Sequence, residues 1–337
     1  MRSSLLIALP LKEGSRGEPV ADLQRRLLAL GVSQDETDPF GTFGRATELA
    51  LRDFQQRYGL DVDGVCNELT WTVLVEAGYR LGDRQLYLRS PMMRGDDIAG
   101  LQACLSSLGF DAGRADGIFG PRTASAVAEF QRNAGLVSDG ICGPDTYAAI
   151  HRLGPDRTAA LMVEQVRERE RLRAAPPGLR GRSVIIGHQG GAATLTYALH
   201  RQLRETGAQV LTVSHPDGPT QARIANSANG DVFVALQFTP GPSHRLAYFQ
   251  GIRFWSQPGR SLAQYAGHAL EPHLGCAPQI VGMRLPLLRE TRMPAVIIEI
   301  GPASLVVTRN EQVATALAAA LVNWAAEPVS EPVVQNP

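Results

Sequence analysis

Three positions in the second half of the chain are of types that do chemistry. His188 follows the apolar run Val184-Ile185-Ile186-Gly187 and precedes the pair Gly190-Gly191; Gln237 closes the run Val232–Leu236; Glu299 lies inside Ala295–Ile300. An imidazole and a carboxylate at strand ends are groups that move protons or ligate metal ions. Each also has a plainer reading. His188 is then a hydrogen-bonded strand-end histidine, and Glu299 an acid paired with an arginine, for which Arg292 is the nearest candidate in sequence. Such a partner is required because a lone buried carboxylate is costly. His200, His215 and His244 lie within reach along the chain, and His244 follows a Gly241-Pro242 turn that lets it fold back. The chain has no GxxxxGK[ST] loop, no GxSxG elbow and no HExxH, and Gly187–Gly191 is too short for a dinucleotide fingerprint.

The elements around these residues alternate. Short β-rich runs at Val184–Ile186, Val210–Val213, Val232–Leu236 and Ala295–Ile300 are separated by helical stretches at Ala193–Glu205, Gln221–Asn229, Leu262–Leu274 and Gln312–Trp324. That order predicts an α/β domain over 182–325 with a mainly parallel sheet covered by helices. Catalytic groups of such sheets gather at the carboxyl ends of the strands, where His188, Gln237 and Glu299 fall.

The first half is a repeat. Gly17–Gln24 (GEPVADLQ) matches Gly95–Gln102 (GDDIAGLQ), Phe43–Thr47 matches Phe119–Thr123, Phe54-Gln55 matches Phe130-Gln131, and Asp63–Cys66 matches Asp139–Cys142. Each copy reads as three short helices, over 14–80 and 90–153, with Gly31 and Gly109 placed as helix ends. Most repeated residues are glycines, apolar core positions and caps, and Cys66 and Cys142 are read as small core side chains. Residues 154–181 form a charged linker, helical over Ala159–Arg173, and 326–337 a short tail.

Composition narrows the rest. Of 337 residues 44% are hydrophobic and 20% charged, an ordinary globular balance. Lys+Arg and Asp+Glu are both 33, so no net charge marks a nucleic-acid partner. Four widely spaced cysteines suggest free thiols and a reducing compartment, not a disulfide framework. No apolar run approaches the ~20 residues that span a bilayer. The apolar N-terminal run is short and lacks an A-x-A site, so export through it is not expected.

The repeats resemble the peptidoglycan-binding repeats of bacterial cell-wall proteins, through the (V/I)-A-x-L-Q lead, the Asp116–Thr123 box (DGIFGPRT), Phe130-Gln131 and Gly135-Leu136…Asp139-Gly140. The first copy lacks the Asp-Gly before Phe43. The second half resembles the zinc-dependent N-acetylmuramoyl-L-alanine amidases. The matching stretches are Ser183–Gly191, Ala225-Asn226, Asp231–Gln237 and Pro294–Gly301. The resemblance implies a metal ligand at His188, a second ligand position at Gln237, and the catalytic acid/base at Glu299.

That family holds zinc with two histidines and one glutamate. Here Gln237 stands at the second histidine, and residues 189–204 contain no Asp or Glu to supply the third ligand. Two repeats followed by such a domain resemble an actinobacterial family of cell-wall regulators whose amidase fold has lost its zinc ligands. The resemblance implies a peptidoglycan-binding sensor, scaffold or regulator of peptidoglycan synthesis. It would bind no cofactor and recognise peptidoglycan or its muropeptide precursors. A cell-wall synthesis protein is a further expected partner, and the expected place of action is the cytoplasm or the inner face of its membrane. The alternative is an active zinc amidase with a rearranged metal site in the cell envelope, cutting the amide between glycan and stem peptide.

Overall fold

A computed structural model of the chain describes residues 9–32, 38–153, 178–251 and 254–327. The chain forms two compact units, Met1–Val166 with Gly251–Phe254, and Arg167–Gln250 with Trp255–Pro337. The linker helix predicted over Ala159–Arg173, the first residues of the N-terminal run and the tail beyond residue 327 lie outside the described residues.

The first unit holds both repeats as all-α modules: α1 (Glu18–Ala29), α2 (Arg45–Arg57) and α3 (Glu68–Ala77), then α4 (Asp96–Ser107), α5 (Pro121–Asn133) and α6 (Pro144–Leu153). Each module closes on its own core. Leu23, Phe43, Leu51, Phe54 and Leu74 fill the first, and Ile98, Leu101, Phe119, Val127 and Phe130 the second. Gly31 and Gly109 sit in left-handed conformation just past α1 and α4, as predicted. The next amide reaches back to the helix, from Val32 to Leu27 and from Phe110 to Leu105, both at 2.9 Å.

A finer period lies inside each module. A glutamine of one helix reaches across to the turn before the next. Gln131 accepts the Gly140 amide at 2.9 Å and donates to Asp139 Oδ1, the Ile141 carbonyl and Thr146 Oγ1 at 2.8, 3.0 and 3.0 Å. Gln102 does the same with Gly117, Asp116, Ile118 and Thr123, and Gln55 with Gly64, Asp63, Val65 and Thr70. Gln24 binds Gly41, Thr42 and Thr47. Its turn lacks the aspartate, and Asp38 takes over part of the work by accepting from the Gly44 and Thr47 amides. Each module is therefore two helix–turn halves locked by the same clamp.

Cys66 and Cys142 follow two of these turns, and both are core residues. Burial pushes each thiol up to about 12. An alkylating reagent at about pH 8.5 should label the exposed Cys276 and spare Cys66 and Cys142 until the chain unfolds. Mass spectrometry of the labelled peptides decides the point, and early labelling of either buried thiol would contradict the packing.

The second unit is an α/β domain. Its elements are β1 (Ser183–His188), α7 (Ala193–Glu205), β2 (Gln209–Ser214), α8 (Gly218–Ser227), β3 (Val232–Phe238), β4 (Arg245–Phe249), α9 (Gln257–Leu274), β5 (Gln279–Met283), α10 (Pro286–Glu290), β6 (Ala295–Ile300) and α11 (Ala303–Ala326). The sheet order is β2-β1-β3-β6-β4-β5. Strands β2, β1, β3 and β6 are parallel, while β4 runs antiparallel to β6 and carries β5 parallel to itself. The mainly parallel sheet is as expected, whereas β4 and β5 were not anticipated. One face, with Ile186, Val234, Leu236, Leu246 and Ile298, packs under Leu199 of α7, Leu262 of α9 and Leu317 of α11. No helix among the described residues is long and apolar enough to cross a membrane.

Candidate functional site

Strands β1, β3 and β6 are neighbours, so their carboxyl ends bring His188, Gln237 and Glu299 to one edge of the sheet. The register then separates them. Gln237 pairs with Glu299, and Glu299 with Arg245 of β4. Partners in register share a face, because side chains alternate with period two. His188 instead pairs with Leu236, which belongs to the opposite face together with Ile186 and Ile298. Gly187 confirms the alternation, since a side chain there would strike Gln221 and the Phe233 ring on the Gln237 side.

His188 is buried, and its Nδ1 accepts the Gly190 amide at 3.3 Å. The turn after β1 thus closes back on the imidazole. Glu299 is 8% exposed. Both its oxygens accept from one guanidinium: Arg245 Nε donates to Oε2 at 2.6 Å and an Arg245 terminal nitrogen to Oε1 at 3.0 Å. Two parallel charge-assisted bonds are the strongest geometry open to this pair. The partner of Glu299 is therefore Arg245 and not Arg292. The Arg292 amide donates to Asn226 Oδ1 at 2.8 Å, and Asn226 Nδ2 donates to the Glu290 carbonyl. The Ala225-Asn226 motif accordingly ties the end of α8 to the end of α10.

The other histidines make backbone or side-chain contacts of their own. His244 precedes β4 and is buried; its Nδ1 accepts the Gly301 amide at 3.4 Å. His200 lies 3.2 Å from Thr212 Oγ1, and His215 Nδ1 accepts the Asp217 amide at 3.0 Å, both beside β2. Among the described residues no three His, Cys, Asp or Glu side chains are grouped as metal ligands. The positions the amidase resemblance marks for zinc thus hold one imidazole, already accepting a backbone bond, and one neutral amide on the other face. The nearby acid is occupied by a cation. That donor set does not fit a three-ligand zinc site.

Comparison with known proteins places both halves. Residues 16–74 and 94–150 match the family described as "Putative peptidoglycan binding domain". The chain is 32% identical over 331 residues to the N-acetylmuramoyl-L-alanine amidase CwlM of Mycobacterium tuberculosis, covering 86% of this chain and 81% of that protein. It is 34% identical over 163 residues to the amidase CwlL of Bacillus licheniformis, covering 42% of this chain and 45% of that one. The catalytic domain of CwlV, an amidase from Bacillus (Paenibacillus) polymyxa, superposes with a TM-score of 0.37 at 16% identity, over 42% of this chain and 97% of that one. With that identity to CwlM extending over most of both chains, the chain belongs to the N-acetylmuramoyl-L-alanine amidase family, among the relatives of CwlM.

Proposed function

We propose that the chain binds peptidoglycan or its muropeptide precursors without cleaving them, as a sensor, scaffold or regulator of peptidoglycan synthesis. The observation that carries this reading is the two-bond Arg245–Glu299 pair. A general acid/base must exchange a proton with the reacting group, and a metal-assisted hydrolase must hold its ion and its water in an open position. Here the family's acid spends both oxygens on a guanidinium, and Arg245 supplies the positive charge that a metal ion gives in a zinc enzyme. The four free cysteines suit a reducing compartment, so this reading places the chain in the cytoplasm, at the membrane's inner face.

Elemental mass spectrometry of the untagged protein tests the reading, beside a His188→Ala control. Neither sample should contain stoichiometric zinc. About one zinc per chain, lost in the control, would show a rebuilt ligand set, and amide cleavage on muropeptides would then be the next assay. A second expectation concerns Glu299→Gln, which should leave the cellular role intact. Loss of that role in a folded variant would restore Glu299 as a catalytic group.

A further inference from the structure

The two repeats match one family, yet they differ at one place on their surface. In each, a residue early in the module makes an antiparallel backbone bridge to the cysteine that follows the second clamped turn: Leu11 pairs with Cys66, and Leu86 with Cys142. In repeat 2 the residues just before that bridge, Gly82 to Gln85, stand off the start of α6 and leave a pocket of about 260 Å³, lined by Asp83, Arg84, Gln85, Gly143 and Tyr147. Gly82 makes this possible. Its φ is +104°, and a side chain there would lie 3.0 Å from the Tyr147 ring. In repeat 1 the positions equivalent to Arg84, Gln85 and Tyr147 are Leu9, Pro10 and Trp71. Leu9 and Trp71 pack against the core of that module. Side chains that line an open pocket in one copy are replaced in the other by side chains that join the core.

The polar groups of the pocket say what it takes. Arg84 is neutralised: it donates twice to Asp97, at 2.7 and 3.1 Å, and its guanidinium lies 3.6 Å from the centre of the Tyr79 ring. The Asp83 carboxylate, which accepts the Arg80 amide at 2.8 Å, adds negative charge at the rim. An anionic ligand would meet that carboxylate with no uncompensated cation to receive it. The Gln85 amide and the Tyr147 hydroxyl, by contrast, have no hydrogen-bond partner among the described residues. They offer a neutral donor and acceptor pair. The volume lies below the roughly 300–1,000 Å³ of pockets that hold drug-sized ligands, which suits one sugar ring and not a whole muropeptide. The segment leading on from the rim supports the same reading. Between its bridging residues it is three residues longer than in repeat 1, and it exposes Tyr87, Leu88 and Met92 at 41%, 47% and 45%. Clustered exposed apolar side chains mark contact surfaces.

We propose that repeat 2 alone carries the glycan contact, in this pocket, and that its ligand is one uncharged N-acetylhexosamine ring of the peptidoglycan strand. Gln85 and Tyr147 hydrogen-bond the ring and its acetamido group, and the Tyr87–Met92 segment bears on the apolar face of the neighbouring sugar. The proposal rests on the peptidoglycan-binding reading of the chain.

The test uses the full chain with two probes, purified sacculi and the N-acetylglucosamine tetramer. Gln85→Ala and Tyr147→Phe should each weaken binding about fivefold, the worth of one neutral hydrogen bond, and together about twentyfold, with unchanged melting temperature. Trp71→Phe in repeat 1 should leave binding unaltered. If the double variant binds sacculi within twofold of the wild type, the pocket is wrong while peptidoglycan binding stands. Preference for a free stem peptide over the tetramer would overturn the choice of sugar. If the wild type binds neither probe, the peptidoglycan reading falls and the pocket with it.

Discussion

Arg245→Ala should cost the second unit about 3 kcal/mol of stability, and replacing Glu299 in the same molecule should return most of that loss. Arg245 and Glu299 face each other across the antiparallel β4/β6 pair, with their side chains 27% and 11% exposed. Removing one partner of a largely buried pair leaves an uncompensated charge, at roughly 3–5 kcal/mol; the partial exposure of Arg245 argues for the low end. Replacing both partners by apolar residues of similar volume is often nearly neutral. Arg245→Leu with Glu299→Leu should therefore unfold close to the wild type, and Glu299→Gln alone should fall between. Urea denaturation of the wild type, Arg245→Leu, Glu299→Leu and the double variant gives the coupling energy directly. A coupling below about 0.5 kcal/mol would mean that the pair is incidental, and the case for Glu299 as a locked group would lose its support. The same variants probe the metal question without an activity assay. Added zinc should leave the wild-type transition where it is, because ligand binding to the native state alone raises stability.

The strand ends were legible because composition alone marks them. Four β-rich runs separated by helical periods give the parallel core, and α7 occupies Ala193–Glu205 as predicted. What was not legible depends on pairing. Strand β4 is only five residues long and begins with Arg245, and β5 is an edge strand containing Gly282; neither has the long apolar run of a central parallel strand. Missing β4 meant missing Arg245, so the nearest arginine to Glu299 in sequence, Arg292, took its place. The face of His188 was equally hidden. A one-residue change in register moves a side chain across the sheet, and no local pattern fixes that register. Helix α11 shows a milder version. It starts at Ala303 but departs from helical geometry at Arg309, and the periodicity becomes readable only beyond that kink.

The clamp inside the repeats escaped sequence reading for a different reason. The 76- and 78-residue offsets between copies are uniform enough to see, but the half-repeats are not evenly spaced. From the glutamine to its turn glycine the separations are 17, 9, 15 and 9 residues. Loop length varies while the three-dimensional contact stays the same, so the symmetry exists in space and not in spacing. Closing a somewhat longer loop costs little, since the entropy grows only with the logarithm of its length. The fold can therefore keep the clamp while the loops diverge.

Gln131→Met should accordingly destabilise the first unit by about 3 kcal/mol, although methionine nearly preserves the volume. Gln131 is 2% exposed, and its four hydrogen bonds join the end of α5 to the turn and to the first turn of α6. The variant leaves the buried Gly140 amide without its acceptor and takes a donor from Asp139, the Ile141 carbonyl and Thr146, whose hydroxyl keeps its own bond to the Ile141 carbonyl; an unsatisfied buried group costs about 1–3 kcal/mol. A loss under 1 kcal/mol would show that packing, not the clamp, holds the turn. Gln24→Met in the first module should cost less, because Asp38 independently binds the start of α2. Acid gives a second handle on the clamp. The Ile141 amide, then the Gln131 side chain, hold the Asp139 carboxyl below its ordinary value. A lowered folded value contributes stability that is present above the unfolded value and disappears as pH falls through the folded one. The acid limb of the unfolding curve should therefore flatten in Gln131→Met. The turn held by Gln131 leads straight into Cys142, which pairs with Leu86, and Gly143 of the pocket. A folded Gln131→Met chain should thus also bind sacculi more weakly, whereas Gln24→Met, in the module whose equivalent pocket residues pack against the core, should bind as the wild type does.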